Sequence, residues 1–271
     1  MARWWFNPRH YAAGTLPSEW TKVGSSFSAQ IADTSWGRAL EISGLSRGYS
    51  SALNAVLRYD PPGSYRGSVD MLLKVVWTNA LTYVLPVIRF DSSFSRGYVG
   101  QVYEYFSLLR WDKFSGGTYT VLGNTSYSLS SNTPYYIRLN HDGYRLKIKI
   151  WPASANEPSS WNLIVSEDEF WDGYFGIAPP TSGSHTLYVL WASFSTGSSP
   201  APTEEEVYAA SGAPKVSALK LSANLSPGQT LTANLKLASP QTGGNGTPVG
   251  VVDASLRFTS PTTDGAGVPV E

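Results

Sequence analysis

Two short segments carry residue types that could hydrolyse a bond. Gly44-Leu-Ser46-Arg-Gly48 matches the G-x-S-x-G pattern of a nucleophile elbow, but that elbow requires a strand followed by a helix in an α/β sheet. The residues after Ser46 alternate like a strand, so we expect a turn between strands there. The second segment is Glu167-Asp-Glu169, with Asp172 close behind it.

These acids do not resemble the catalytic pair of a glycosidase. Such an enzyme needs two carboxylates about 5–10 Å apart across a cleft. Exposed acids are common in loops, and Glu167–Glu169 precede an aromatic residue and Gly173. We therefore expect a solvated turn at this position, and we predict that the protein is not an enzyme.

The histidines offer no metal site or general base. They are widely separated and fit no metal-binding spacing: His10, His141 and His185. His141 precedes a hairpin turn, so we expect it to face solvent. The chain has no cysteine, which removes thiolate ligands and disulfides. We predict no metal and no cofactor.

An aromatic run is the strongest candidate for ligand binding. If Gly100–Trp111 is one strand, alternation places Tyr103, Tyr105 and Trp111 on one face, with Arg110 at the end of the other. Tyr and Trp rings can stack on sugar rings while a neighbouring Arg bonds the hydroxyls. The same residue types also fill cores and subunit interfaces. Tyr103, Tyr105, Trp111 and Arg110 are therefore candidates for contact with either a glycan or another subunit.

The surrounding apolar pattern has the period of two that is typical of strands. In Tyr135–Trp151, Asp142-Gly143 supplies a tight hairpin turn, and Leu146, Ile148 and Ile150 alternate with basic residues. Only Glu204–Ala210 is expected to be helical. Further strands are expected in runs separated by Gly and Pro: Arg38–Ile42, Ala52–Tyr59, Val69–Trp77, Tyr83–Phe90, Asn162–Ser166, Tyr174–Ile177 and Thr186–Phe194. Many short strands with almost no helix predict an all-β antiparallel sandwich.

The chain divides by composition near residue 200. All ten Trp residues lie between Trp4 and Trp191, and a small, Pro-rich and then acidic stretch follows. We predict a first domain over residues 1–197, a linker over 198–213 and a small β-rich module over 214–271. The module shows too few strands to bury a core of its own. We expect it to serve as an arm that assembles copies of the chain.

Composition also limits the partners. The 271 residues include 20 basic and 20 acidic side chains, and this balance argues against nucleic acid as a ligand. No apolar run approaches the length that spans a bilayer, so we predict no membrane insertion. The N-terminus lacks the apolar region of a secretory signal, so we expect synthesis in a cytoplasm.

Several motifs resemble the LamG-like branch of the concanavalin A-like superfamily in their order and spacing. They are Tyr136-Ile-Arg-Leu, Asp142-Gly143, Lys147-Ile-Lys-Ile-Trp151, Glu157-Pro158, Trp161 and a Gly173–Gly176 turn. The opening, with Gly14-Thr-Leu-Pro-Ser-Glu-Trp20 and Arg38-Ala-Leu-Glu-Ile, resembles such modules in phage virion and tail proteins. The resemblance covers roughly residues 10–195.

The resemblance implies a jelly roll of two antiparallel sheets that binds carbohydrate or protein surfaces. Many relatives carry an Asp in the last strand, where this chain has Leu190-Trp-Ala192, so the resemblance does not carry a calcium ion to this chain. Gly228-Gln-Thr-Leu-Thr-Ala in the tail resembles a bacterial Ig-like repeat.

Together these features predict a non-enzymatic component of a phage particle, in the tail, the adsorption apparatus or the capsid surface. Its partners would be other virion proteins and copies of itself through the C-terminal module, and its location would be the virion. Polysaccharide of the host surface is a further candidate ligand. The alternative is a free-standing carbohydrate-binding module, and a glycan hydrolase is a third hypothesis.

Overall fold

The chain divides into two compact units, Met1–Thr203 and Glu204–Glu271. The computed structural model describes residues 2–24, 27–44, 55–61, 63–78, 83–179, 186–210, 230–237 and 252–259. The predicted linker 198–213 spans the division between the units. Ser46 and His185 lie outside the described residues.

The first unit is built almost entirely of strands. A 3-10 turn, Pro8–His10, is capped by the Asn7 side chain. The strands follow one another as β1 Ala2–Phe6, β2 Trp20–Gly24, β3 Phe27–Thr34, β4 Gly37–Gly44, β5 Ala55–Tyr59, β6 Tyr65–Arg66, β7 Val69–Trp77, β8 Tyr83–Phe90, β9 Arg96–Tyr103, β10 Leu108–Ser115, β11 Thr118–Ser126, β12 Tyr135–His141, β13 Arg145–Pro152, β14 Leu163–Ser166, β15 Asp172–Ala178 and β16 Thr186–Thr196.

These strands form two antiparallel sheets that pack as a jelly-roll sandwich, which confirms the predicted all-β fold class. The first sheet has the order β14-β13-β12-β7-β16-β4-β3, and β1 pairs with β16. The second has the order β11-β10-β9-β8-β15-β5-β2, and β6 pairs with β15. Neighbours distant in sequence, such as β7 and β16, give the sandwich its crossed connections.

The core lies between the inner faces of the two sheets. In the β12–β13 hairpin the apolar side chains point to this core: Leu146, Ile148 and Ile150 are buried in the core cluster. The basic residues between them lie on the other face. The predicted alternation of this hairpin is confirmed. A second buried apolar cluster lies on the other face of the second sheet, where Leu85 and Val87 of β8 alternate with the core residues Val84 and Ile88.

The prediction of one strand over Gly100–Trp111 is wrong. A turn at Glu104–Ser107 separates β9 from β10, and the Ser107 amide donates to the Glu104 carbonyl at 2.8 Å. Ser107 adopts a positive φ of 49°. The Glu104 carboxylate fixes the turn by accepting from Trp77 Nε1 at 2.5 Å and from the Ser131 amide at 2.6 Å. The chain therefore reverses without the Gly, Pro or Asn that usually mark a turn.

Residues 197–202, which we call the strap, lie on the outer face of the first sheet. The Ala201 amide donates to Asp70 Oδ1 at 2.9 Å, and Ser193 Oγ donates to the Pro202 carbonyl at 2.6 Å. Ala201 is buried in a small cluster with Leu72, Tyr136 and Trp151. Most of the strap falls within the stretch that composition assigns to a linker, yet the strap is packed against the sheet.

The second unit contains a short helix and a pair of strands. The helix is α1 Glu204–Ala210, with three acids in its first turn, as predicted. The strands β17 Thr230–Leu237 and β18 Val252–Thr259 pair antiparallel in register from Thr230 opposite Thr259. Residues 214–229, 238–251 and 260–271 of the predicted module lie outside the described residues. None of the helices described in either unit has the length and apolar character to cross a membrane.

Candidate functional site

An open cleft of about 370 Å³ lies on the outer face of the first sheet. Its floor is formed by β7, β12 and β13, and its walls by the strap and the loop that follows β13. The residues that line it are mostly polar: Ser68, Asp70, Arg138, Asn140, Asp142, Lys147, Lys149, Glu157, Trp161, Gly197, Ser198 and Pro200. All of them belong to the first unit.

Strand alternation places this chemistry on one surface. On β12, Ile137 and Leu139 point into the core, so Arg138 and Asn140 point outward. On β13 the same alternation turns Lys147 and Lys149 to the outer face. The register brings the strands together, because Arg138 pairs with Lys149 and Asn140 pairs with Lys147 across the hairpin.

Arg138 is the centre of the cleft floor. Its Nη1 donates to Asp70 Oδ1 at 2.6 Å and to the Ala201 carbonyl at 3.1 Å. Its Nη2 donates to Glu157 Oε2 at 3.0 Å. The buried guanidinium thus ties the sheet to the strap and to the loop after β13. Asp70 is buried as well, and burial raises its pKa against the opposing effect of Arg138.

Asp142 closes one end of the cleft. Its Oδ2 accepts from Lys147 Nζ at 2.7 Å, and its Oδ1 accepts from the amides of Tyr144 and Arg145. Partial burial raises the pKa of Asp142, but hydrogen bonds, first from Lys147, outweigh it and hold the pKa well below its usual range. Asp142 is therefore ionised at neutral pH, and its charge fixes both the hairpin turn and Lys147.

Trp161 forms an aromatic wall of the cleft. Its half-buried ring lies beside two ammonium groups, with Lys149 Nζ 4.7 Å and Lys147 Nζ 5.9 Å from the ring centroid. Such cation–π contacts hold the ring in place. Lys149 Nζ also donates to the Pro158 carbonyl at 2.8 Å and pairs with Glu157 at 2.7 Å, which fixes the loop that carries Trp161.

The cleft is balanced in charge and retains hydrogen-bonding capacity. Three cationic side chains face three carboxylates, and ion pairs join them: Arg138, Lys147 and Lys149 with Asp70, Asp142 and Glu157. An ammonium has three donors, and the described contacts of Lys147 Nζ use one of them. Asn140 Nδ2 donates to the Val69 carbonyl and to Asp70 Oδ2. Its Oδ1 has no hydrogen-bond partner within the described part of the chain.

The candidates from the aromatic run do not form one surface. Trp111 is completely buried in the sandwich core, and Tyr103 is buried in the second apolar cluster. Arg110 pairs with the buried Asp112 at 2.7 Å. Of the four candidates, Tyr105 is the one with a highly exposed ring, at the tip of the β9–β10 turn. The turn at Glu104–Ser107 is the reason the shared face does not exist.

The acid cluster is only partly solvated. Glu167 accepts from Lys113 Nζ at 3.3 Å and from Tyr98 Oη at 3.2 Å, and Glu169 pairs with Lys113 at 2.7 Å. These contacts join the loop before β15 to β9 and β10. Glu169 itself remains exposed, as the prediction of a surface turn expects.

The prediction that His141 faces solvent is wrong. The ring is completely buried between the sheets, where Arg89 Nε donates to its Nδ1 at 3.2 Å. Its Nε2 lies 3.1 Å from the Glu167 carbonyl, so the proton of the neutral ring sits on Nε2. Burial, and then the nearby Arg89 cation, lower the pKa of His141 to about 4.

The last strand of the first unit carries no carboxylate at residues 190–192 that could bind a calcium ion. At Leu190-Trp-Ala192 the side chain of Trp191 is completely buried and its Nε1 donates to the Pro202 carbonyl at 3.4 Å. Among the described residues, no three Asp, Glu or His side chains come together in a way that could hold a metal ion.

Sequence reasoning missed the cleft because its partners are far apart in the chain. Arg138 and Asp70 are 68 residues apart, and only the β7–β12 pairing joins them. The outward alternation of Lys147 and Lys149 and the Trp161 motif were visible signals. The sequence gives no signal for the strap that completes the cleft, since Pro and Ser residues at 199–202 are equally typical of a flexible linker.

No protein-family model and no curated protein matches this chain. Solved structures do match. The carbohydrate binding module CBM66 from Bacillus subtilis is 18% identical over 66% of this chain and 92% of its own, with a TM-score of 0.45. The VIP36 exoplasmic/lumenal domain, in its form bound to Ca²⁺ and Man2, is 12% identical over 74% and 90%, with a TM-score of 0.48. The galectin LEC-6 of Caenorhabditis elegans is 12% identical over 51% and 93%, with a TM-score of 0.36.

Proposed function

We propose that the first unit is a non-catalytic carbohydrate-binding domain and that its ligand occupies the cleft on the first sheet. The observation that carries this proposal is the pairing of the Trp161 ring with the polar floor formed by Asn140, Lys147 and Lys149. A sugar ring has an apolar C–H face that packs on an aromatic ring. Its hydroxyls both donate and accept hydrogen bonds, which suits spare ammonium donors beside the Asn140 Oδ1 acceptor.

The charge balance of the cleft favours an uncharged glycan. A uronic acid or sulfated sugar gains most from unpaired cations, but each cation here is already paired with a carboxylate. Glu157 and Asp142 are held by their own donors, so neither is available as a general base. The cleft therefore suits binding of an intact chain better than hydrolysis.

A printed panel of neutral and acidic polysaccharides tests this function. We expect the whole chain to bind at least one neutral polysaccharide, and Trp161→Ala to weaken that binding by roughly tenfold, the loss of one stacked ring. Trp36→Ala is the matched control. Trp36 is also half-buried, but it packs on Tyr188 at the opposite edge of the sheet, so its removal should leave binding unchanged.

Two results would contradict the proposal. One is the absence of binding to every polysaccharide of the panel. The other is equal loss of binding in the Trp161 and Trp36 variants, which would indicate a general loss of structure. A thermal melt of each variant separates this second case from loss of a ligand contact.

The role in a phage particle stays a prediction. Assembly through residues 214–271, virion partners and location in the virion rest on the sequence resemblance and on composition. The described residues of the second unit, one short helix and one strand pair, do not test them. A carbohydrate-binding domain is compatible with such a particle, which would use it to contact a host surface.

A further inference from the structure

An exposed aromatic corner stands at the tip of the β12–β13 hairpin. Tyr144 is 67% exposed and Trp171 is 45% exposed. Their rings meet edge to face, with centroids 5.9 Å apart and planes at 89°. Together the two rings form an exposed apolar patch, and a ligand that removes this patch from water gains free energy.

The corner is held rigidly by the residues beneath it. The Trp171 ring lies against Gly143, where a Cβ would stand 3.1 Å from the ring carbons. The Trp171 carbonyl accepts from the buried Arg89 Nη1 at 2.6 Å, and Asp142 Oδ1 accepts from the Tyr144 amide at 3.2 Å. A preformed pair of rings loses little conformational entropy when it binds.

The corner and the cleft share Asp142 as a common boundary. This one carboxylate bonds Lys147 on the cleft floor and the backbone of Tyr144 in the corner. From Lys149, beside Trp161, to Tyr144 the chain advances five residues, or roughly 16 Å at the rise of a strand. That length exceeds a single sugar ring.

We propose that the Tyr144–Trp171 corner is a second sugar subsite and that the ligand is an extended polysaccharide lying along β13 from Trp161 to Trp171. This inference rests on the proposed function of the cleft. Arg145, whose side chain is more than half exposed next to Asp142, supplies hydroxyl contacts between the two subsites.

A protein partner fits the corner less well. A stable protein interface needs well over about 1,000 Å² of buried surface, whereas the corner offers two rings with charged groups beside them. A narrow strip of separate aromatic contacts suits a linear chain that crosses it.

The test measures binding against ligand length. The probe is a panel of the neutral polysaccharides of bacterial, fungal and plant surfaces, each printed with its own disaccharide and longer oligosaccharides. We expect the whole chain to bind long oligosaccharides more tightly than short ones. Trp171→Ala should remove that gain, roughly tenfold, and leave the affinity for the short ligands unchanged. Trp5→Ala is the control, since Trp5 is 48% exposed but lies on β1.

Each outcome decides the inference. A gain with length that Trp171→Ala removes and Trp5→Ala keeps supports the second subsite. Equal binding of short and long ligands, or a gain that Trp171→Ala leaves intact, overturns the subsite while the cleft function stands. If no glycan binds at all, the cleft function and the subsite fail together.

Discussion

At the scale of the residue, a buried cation organises one end of the sandwich, and among the described residues no carboxylate lies within ion-pair distance of it. Arg89 is completely buried with a positive φ of 62°, at the point where the β8–β15 register shifts. This irregularity turns the guanidinium inward, where it donates to the Gly67 carbonyl and to His141 and lies over the Tyr65 ring. Gly173 allows β15 to run close to the backbone of Arg89, because a Cβ at Gly173 would lie 2.4 Å from the Arg89 carbonyl carbon.

His141 makes this end of the molecule sensitive to acid. Its pKa is about 4 in the folded chain, against 6.5 for a free side chain, so the unfolded chain takes up a proton first as the pH falls. This part of the stability is complete above pH 6.5 and disappears progressively towards pH 4. We expect the free energy of unfolding to drop by up to about 3 kcal/mol across this window, measured by urea denaturation.

The matched variant for this prediction is His141→Gln. Its amide oxygen can still accept from Arg89 Nε, but the side chain does not titrate. The variant should show a clearly shallower fall in stability between pH 6.5 and pH 4. Parallel curves for the two proteins would show that other groups cause the acid sensitivity.

At the scale of the element, the strap depends on one buried carboxylate. Asp70 accepts from the Ala201 amide, from Arg138 and from Asn140. Asp70→Ala removes all three contacts and leaves Arg138 buried with less compensation. We expect a loss of about 3 kcal/mol in the free energy of unfolding, together with faster hydrogen exchange of the Ala201 amide.

An exposed ion pair gives the control for the strap. Asp33→Ala breaks the contact with Arg38 Nε at 2.8 Å, and such exposed surface pairs contribute little to stability. Exchange at Ala201 should not change in this variant. If Asp70→Ala also left that amide as slow as before, the strap would be held by its other contacts and this account of it would be wrong.

Elements with strong local patterns could be predicted, and elements that depend on distant partners could not. The β12–β13 hairpin follows from Asp142-Gly143 and the alternation of Leu146 and Ile148, which need no tertiary information. The Glu104–Ser107 turn depends instead on Trp77 and Ser131, remote in sequence. Strand β11, on the edge of its sheet, was not predicted because its side chains are mostly polar and partly exposed.

At the scale of the whole molecule, the fold class followed from the period of two, but the site did not. A sandwich of two sheets leaves outer faces whose use depends on which loops cross them. Here the strap and the loop bearing Trp161 convert part of one outer face into a cleft, while the predicted ring Trp111 fills the core. Two of the four predicted site residues, Tyr103 and Trp111, therefore pack in buried apolar clusters and do not line a ligand site.

The central claim is that a glycan binds in the cleft rather than at the exposed β9–β10 turn. It is tested most directly by titrating the isotope-labelled chain with an oligosaccharide that binds in the panel. The chemical shifts of the N–H groups are followed by NMR. We expect shifts of the Asn140 side-chain amide and the Trp161 indole N–H, with the Trp36 indole unmoved. Shifts confined to the amides of Tyr105 and Phe106, with Asn140 and Trp161 unchanged, would contradict the account.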